Sequence, residues 1–148
     1  MTNFHHIIKS VFIAVLFTTS MLAVAQTVPT QDAVFQQLGG KVGIDKIVAD
    51  FLPLLLADDR IKDTFKDADM ERLGVLLAEQ FCQLTGGPCN YSGKDMSEAH
   101  KDMHLNNAQF NALAEDLQFA MEKNGIASPA QNKLIAKLAP MQHAVVTR

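Results

Sequence analysis

Apolar residues return along this chain at intervals of three and four, and they do so in four separate stretches. Ile44, Ile47, Val48, Phe51 and Leu55 draw the first stripe, and Asp58-Asp59 breaks it. Leu73, Leu76, Leu77, Phe81 and Leu84 draw the second, closed by Gly86-Gly87-Pro88. Phe110, Leu113, Ala114, Leu117 and Met121 form the third, ended by Asn124-Gly125. Ser128-Pro129 then predicts an N-cap and first helical residue for a fourth helix through Leu134, Ile135, Leu138 and Met141. Such spacing puts each stripe on one helical face, and no window alternates with period two for long enough to suggest a sheet. Two prolines interrupt the pattern. Pro53 in the first stripe and Pro140 in the last each predict a kink or a helix end.

The N-terminus follows a different rule. Met1 to Ser10 is polar and carries Lys9, Val11 to Val24 is dominated by apolar residues, and Ala23-Val24-Ala25 supplies a small-x-small cleavage pattern. That is the layout of a secretory signal peptide. The apolar run is shorter than the roughly 18 to 20 residues a bilayer span needs, so stable membrane insertion after cleavage is not expected. The expected division is a cleaved signal over residues 1–25 and one domain over residues 26–148, exported to the periplasm or secreted. A retained amphipathic leader is the alternative.

Composition narrows the function classes. The net charge is −3 and there is no tryptophan. No basic stripe appears, which argues against a nucleic-acid surface. The carboxylates are scattered, with no pair placed for acid–base work. There is neither a nucleophile motif nor a phosphate-binding glycine loop.

Candidate chemistry concentrates in Met96-Ser97-Glu98-Ala99-His100-Lys101-Asp102-Met103-His104-Leu105, with Phe110 downstream. His100 sits on a short helical turn flanked by Met96 and Met103. His104, four residues on, would share its face if the helix continued, and such a pair can ligate zinc given a third ligand. A solvent-exposed His104 is the simpler reading, and His143 reads as a surface residue. Cys82 and Cys89 are the only cysteines. In an exported protein a disulfide between them is the natural reading, with two free thiols or a redox switch as alternatives.

The order of punctuation is specific as a series: Leu38-Gly39-Gly40, Asp50-Phe51, Leu56-Ala57-Asp58-Asp59-Arg60, Phe65, Met70-Glu71-Arg72-Leu73, Gly86-Gly87-Pro88, Tyr91-Ser92-Gly93, Ala99-His100, Phe110 and Leu138-Ala139-Pro140. In this register the chain resembles the group I truncated haemoglobins from about Val34 to Val146. The resemblance implies an all-α, two-over-two helical sandwich in a single domain. It also implies one haem b. The family's alanine-histidine pair falls on Ala99-His100, making His100 the proximal iron ligand. Phe65 would pack on the haem face and Phe110 would line the pocket. Phe51, Leu77 and Phe81 would complete the apolar slot, with Met96 packing beside the haem. No CxxCH motif is present, so the haem is expected to be held non-covalently. Arg72 and Lys101 each neighbour a pocket segment and are candidates to meet a propionate.

The departures from the family pattern bear on function. A tyrosine commonly follows the Asp-Phe pair, and here Leu52 follows it. A distal glutamine position falls on Leu77, and the usual distal-histidine position falls on Leu73. A hydrogen bond to a partly charged acceptor is worth about 1.5 to 3 kcal/mol. Its absence weakens oxygen retention by roughly ten- to a hundredfold, while carbon monoxide and nitric oxide depend on it less. The expected function is reversible binding of diatomic gases above an apolar distal face. The alternatives are a nitric oxide or peroxide detoxifier fed by a separate electron-transfer partner, and a helical module that has lost haem.

Overall fold

The computed structural model describes residues 33–148. The predicted signal peptide lies outside the described residues. Among these, helices account for all regular structure apart from one isolated bridge between Leu105 and Val146. They run α1 (Ala33–Gln37), α2 (Gly40–Ala57), α3 (Lys62–Phe65), α4 (Met70–Leu84), α5 (Met96–Ala99), α6 (Asn107–Lys123), α7 (Ser128–Leu138) and, after a 3₁₀ turn at Ala139–Met141, α8 (Gln142–Val145).

The long helices make two layers. α2 packs on α4 and lies across α6, while α7 closes against both α6 and α4. The first predicted stripe supplies the central contact, since Ile44, Ile47, Val48, Phe51 and Leu55 are all buried. They meet Phe81 from α4, Leu117 and Met121 from α6 and Leu134 from α7 in one continuous core. This is the two-over-two sandwich in a single domain. The tight connection from α1 to α2 depends on Gly39 and Gly40, both at positive φ (85° and 63°), where a side chain would be strained.

The helix ends carry signals that apolar periodicity does not report. Asp69 caps α4 by accepting from the Arg72 N–H, and Asp95 caps α5 by accepting from the Glu98 N–H. α6 begins at Asn107, three residues before the first apolar position of its stripe. Asn106 and Gln109 form a reciprocal capping box there, each side chain accepting from the other's backbone. The predicted cap at Ser128 shifts by one. Ala127 is the extended N-cap residue, its carbonyl accepts from Ala130 and Gln131, and Ser128-Pro129 form the first two helical positions. Pro53 does not end α2, which runs on to Ala57. Its ring is exposed, so the carbonyl that loses an N–H partner is on the side that water reaches. Pro140 does mark an end, within the 3₁₀ turn that separates α7 from α8.

Candidate functional site

A cavity of about 640 Å³ opens between α4 on one side and α5, α6 and the chain after α7 on the other. Its wall is largely hydrocarbon. α4 contributes Leu73, Leu76, Leu77 and Phe81, and the opposite side contributes Met96, Phe110, Leu113, Ile135, Leu138 and Val145. Those α4 residues face inward because Asp69 sets the helix start and their spacing repeats with the helical turn.

His100 is the one histidine among the described residues that lines this cavity. It stands at the C-cap of α5, immediately after Ala99, and is half-buried. Its Nδ1 lies 2.8 Å from the Met96 carbonyl, which accepts an Nδ1–H. That tie orients the ring and leaves Nε2 with the free lone pair, the arrangement in which imidazole binds metals best. A short helix capped by Asp95 thus places a single imidazole nitrogen at an apolar slot.

Polar groups collect at the rim. Arg72 and Lys94 are exposed and line the cavity edge. The Arg72 Nη2 donates to Ser92 Oγ at 3.2 Å, and Ser92 donates from both its O–H and N–H to Glu79 Oε2, at 2.7 and 2.9 Å. These bonds from Ser92 hold the Glu79 carboxyl below its usual range. The Tyr91 O–H donates to the Lys94 carbonyl at 2.9 Å, and burial pushes its phenol up. Asp69 also lines the cavity, but one of its oxygens is engaged in capping α4.

Seven of the nine expected pocket residues come together here: Phe65, Leu73, Leu77, Phe81, Met96, His100 and Phe110. Two do not reach the cavity. Phe51 is fully buried in the inter-helix core. Leu52 is half-buried and packs across Gly74 of α4, its Cδ1 only 3.0 Å from where a Cβ at that glycine would stand. Both sit on the part of α2 that faces helices, and only Leu55, nearer its end, meets the cavity. Lys101 does not line the site either; the rim cation on that side is Lys94.

The proposed pairing of His100 with His104 loses its basis. α5 ends at Ala99, and His104 has φ 51°, so the two histidines do not share a helical face. Among the described residues no group of three or more His, Cys, Asp or Glu side chains is placed to hold a metal ion.

Gln80 is the buried polar residue that spacing alone passed over. Its amide Nε2 lies 3.5 Å from Met96 Sδ and 3.8 Å from Met141 Sδ, so it bridges α4 to the opposite wall. Outside the cavity, Cys82 and Cys89 are disulfide-bonded with their Cα atoms 5.8 Å apart. The bridge ties the end of α4 to the loop that carries Tyr91, Lys94 and the α5 cap.

The bacterial-like globin family model matches residues 33–147. The chain belongs to the group 1 truncated haemoglobin family. A group 1 truncated haemoglobin of Tetrahymena thermophila is 39% identical over 97 residues, covering 66% of this chain and 80% of that protein. The crystal structure of a truncated haemoglobin from Tetrahymena pyriformis in its Fe(III) form superposes with a TM-score of 0.75 at 30% identity, over 78% of this chain and 98% of that one. A 2/2 haemoglobin from Synechococcus sp., solved in the cyanomet state with covalently attached haem, superposes at 0.71 with 25% identity, over 78% and 98%.

Membership in this family implies haem, and this globin's own residues fit one. The cavity falls within the roughly 300 to 1,000 Å³ range of cofactor sites. It offers apolar walls for a porphyrin, one oriented imidazole for iron, and Arg72 and Lys94 at the rim for carboxylates.

Proposed function

We propose that this globin holds one b-type haem on His100 and binds diatomic gases reversibly at an apolar distal face. The carrying observation is His100 itself, with its Nδ1 committed to the Met96 carbonyl inside a cavity of about 640 Å³. Bound haem supplies an iron whose open coordination position takes small gases. His100 would hold that iron through Nε2, and Phe65, Phe81 and Phe110 would pack on the ring. Arg72 and Lys94 would meet the propionates.

Attachment is non-covalent in this reading. Among the described residues no second histidine lines the cavity, and both cysteines are joined to each other outside it. Leu73 and Leu77 present no N–H or O–H to a ligand, and the Gln80 amide points to methionine sulfurs. Ligands that rely on a distal hydrogen bond are therefore held weakly, and oxygen is the foremost of these. Carbon monoxide and nitric oxide are affected less.

Residues 1–25 are read as a signal for export to the periplasm or beyond. The disulfide supports this reading, since such bonds persist in oxidising compartments.

The test is an absorption spectrum of the purified chain loaded with haem, beside its His100→Ala variant. The parent should show one haem per chain, extractable into acidified organic solvent. The variant should lose its Soret band or shift it strongly, with added imidazole restoring it. An unchanged spectrum in the variant would overturn the assignment.

A further inference from the structure

Between His100 and α6 the backbone takes an uncommon path. Asp102 and His104 both have positive φ, 60° and 51°. Side-chain-bearing residues are seldom found there, although aspartate and histidine tolerate it better than most. Two such residues within three positions make a strained turn, and strain of this kind persists only where the surroundings impose it. The turn's own bonding is slight: the Met103 N–H donates to the His100 carbonyl at 3.3 Å.

The C-terminal tail supplies what the turn lacks. Leu105 pairs with Val146 in an isolated parallel bridge. The Leu105 carbonyl accepts from two tail amides at once, Thr147 at 3.0 Å and Arg148 at 3.1 Å. α8, just before the tail, lies against α5. Leu105 and Val145 are both buried, and both line the cavity that His100 lines. Met103, between the two strained residues, lines it as well.

We propose that residues 145–148 act as a latch that holds the 101–105 turn in its strained path and so fixes His100 and the retention of the cofactor. The role is one of positioning. Thr147 and Arg148 act through the Leu105 carbonyl, which anchors the wall five residues after the ligand. Released from the tail, Asp102 and His104 relax toward ordinary backbone angles, and the turn draws away from the cavity. This inference rests on His100 as the haem ligand for its functional consequence, and on the backbone geometry alone for the latch.

Two variants test it. A chain ending at Val145 removes both amide donors, and Thr147→Pro removes one while keeping the length. Val146, at φ −85° and ψ 116°, already has the extended backbone that a following proline requires. Haem transfer to excess apomyoglobin should run about tenfold faster in the shortened chain and a few-fold faster in Thr147→Pro, the scale of one to two lost backbone hydrogen bonds. The iron–histidine stretching band of the ferrous protein should shift, while far-ultraviolet circular dichroism stays unchanged. If the shortened chain fails to fold, Thr147→Pro decides. Transfer within twofold of the parent and an unshifted band in Thr147→Pro would overturn the proposal. Amide hydrogen exchange over residues 101–106, measured without haem, separates the latch from the haem assignment. Faster exchange in the variants supports the latch even where His100→Ala leaves the spectrum unchanged, and equal exchange overturns it.

Discussion

Asp116, on the buried side of α6, is only 5% exposed, and its Oδ2 has no hydrogen-bond partner. Burial pushes its carboxyl up; Asp58 and Glu115 add to this and Arg60 opposes it. Arg60 gives little relief because it is engaged with Asp58 at 2.7 Å and Glu115 at 2.5 Å. Replacing Asp116 with Asn keeps the shape and removes the charge. A buried polar group without a partner costs about 1 to 3 kcal/mol. An amide recovers part of that, so a gain of about 1 kcal/mol near neutral pH is expected. For a domain of this size that corresponds to a melting temperature roughly 3 to 6 °C higher. The pH dependence has a definite sign. Below about pH 3.9 the carboxyl is protonated in both folded and unfolded chains, and parent and variant differ little. As pH rises toward the folded value, the unfolded chain sheds its proton first, so the parent loses stability and the variant does not. The gap should open through the acid range and then level off. Differential scanning calorimetry of both proteins from pH 3.5 to 7.5 measures it. An Asn variant that melts below the parent at pH 7, or a gap that does not change with pH, would refute the reasoning.

Leu52 stops short of the cavity beside Gly74, and the longer phenol of Leu52→Tyr is expected to extend past that glycine toward Leu73 and Leu77. Stopped-flow kinetics should show oxygen release slowed about tenfold or more by a new hydrogen bond, with carbon monoxide release nearly unchanged; equal oxygen rates would sink the apolar-face argument. Reducing the Cys82–Cys89 bond should destabilise the protein by about 2 to 3 kcal/mol in the chain-entropy model. Gas-binding kinetics should stay the same, and a melting temperature indifferent to dithiothreitol would contradict the staple role. Asn106→Ala removes one half of the α6 capping box and should cost about 1 kcal/mol in chemical denaturation; a loss below a few tenths would show that the cap is idle.

The sequence by itself determined the helices and the family. Periodic apolar positions must be buried, and only a helix gathers residues spaced by three and four onto one face, so four stripes dictated four long helices. The glycine pairs, Phe65 and Ala99-His100 stood at intervals that the family shares, and most of the expected pocket residues came together from α4, α5 and the start of α6. The capping residues Asp69, Asp95 and Asn106 went unread because apolar spacing does not report them, although each side-chain oxygen serves an N–H only three residues away.

Tertiary structure decided the rest, because those outcomes depend on residues far apart in the chain. Phe51 shares an apolar stripe with Leu55, and Leu52 follows it directly, yet only Leu55 reaches the cavity, since the direction of each side chain depends on where α4 and α6 cross α2. Lys94 rather than Lys101 meets the rim because α5 stops after four residues. Gln80 points at two sulfurs that lie 16 and 61 positions away. The strained turn after His100 leads to the Leu105 carbonyl, whose two donors, the amides of Thr147 and Arg148, lie more than forty positions away. Local spacing reports which residues must be covered; what covers them, and which backbone groups are bent to allow it, is settled when the helices pack.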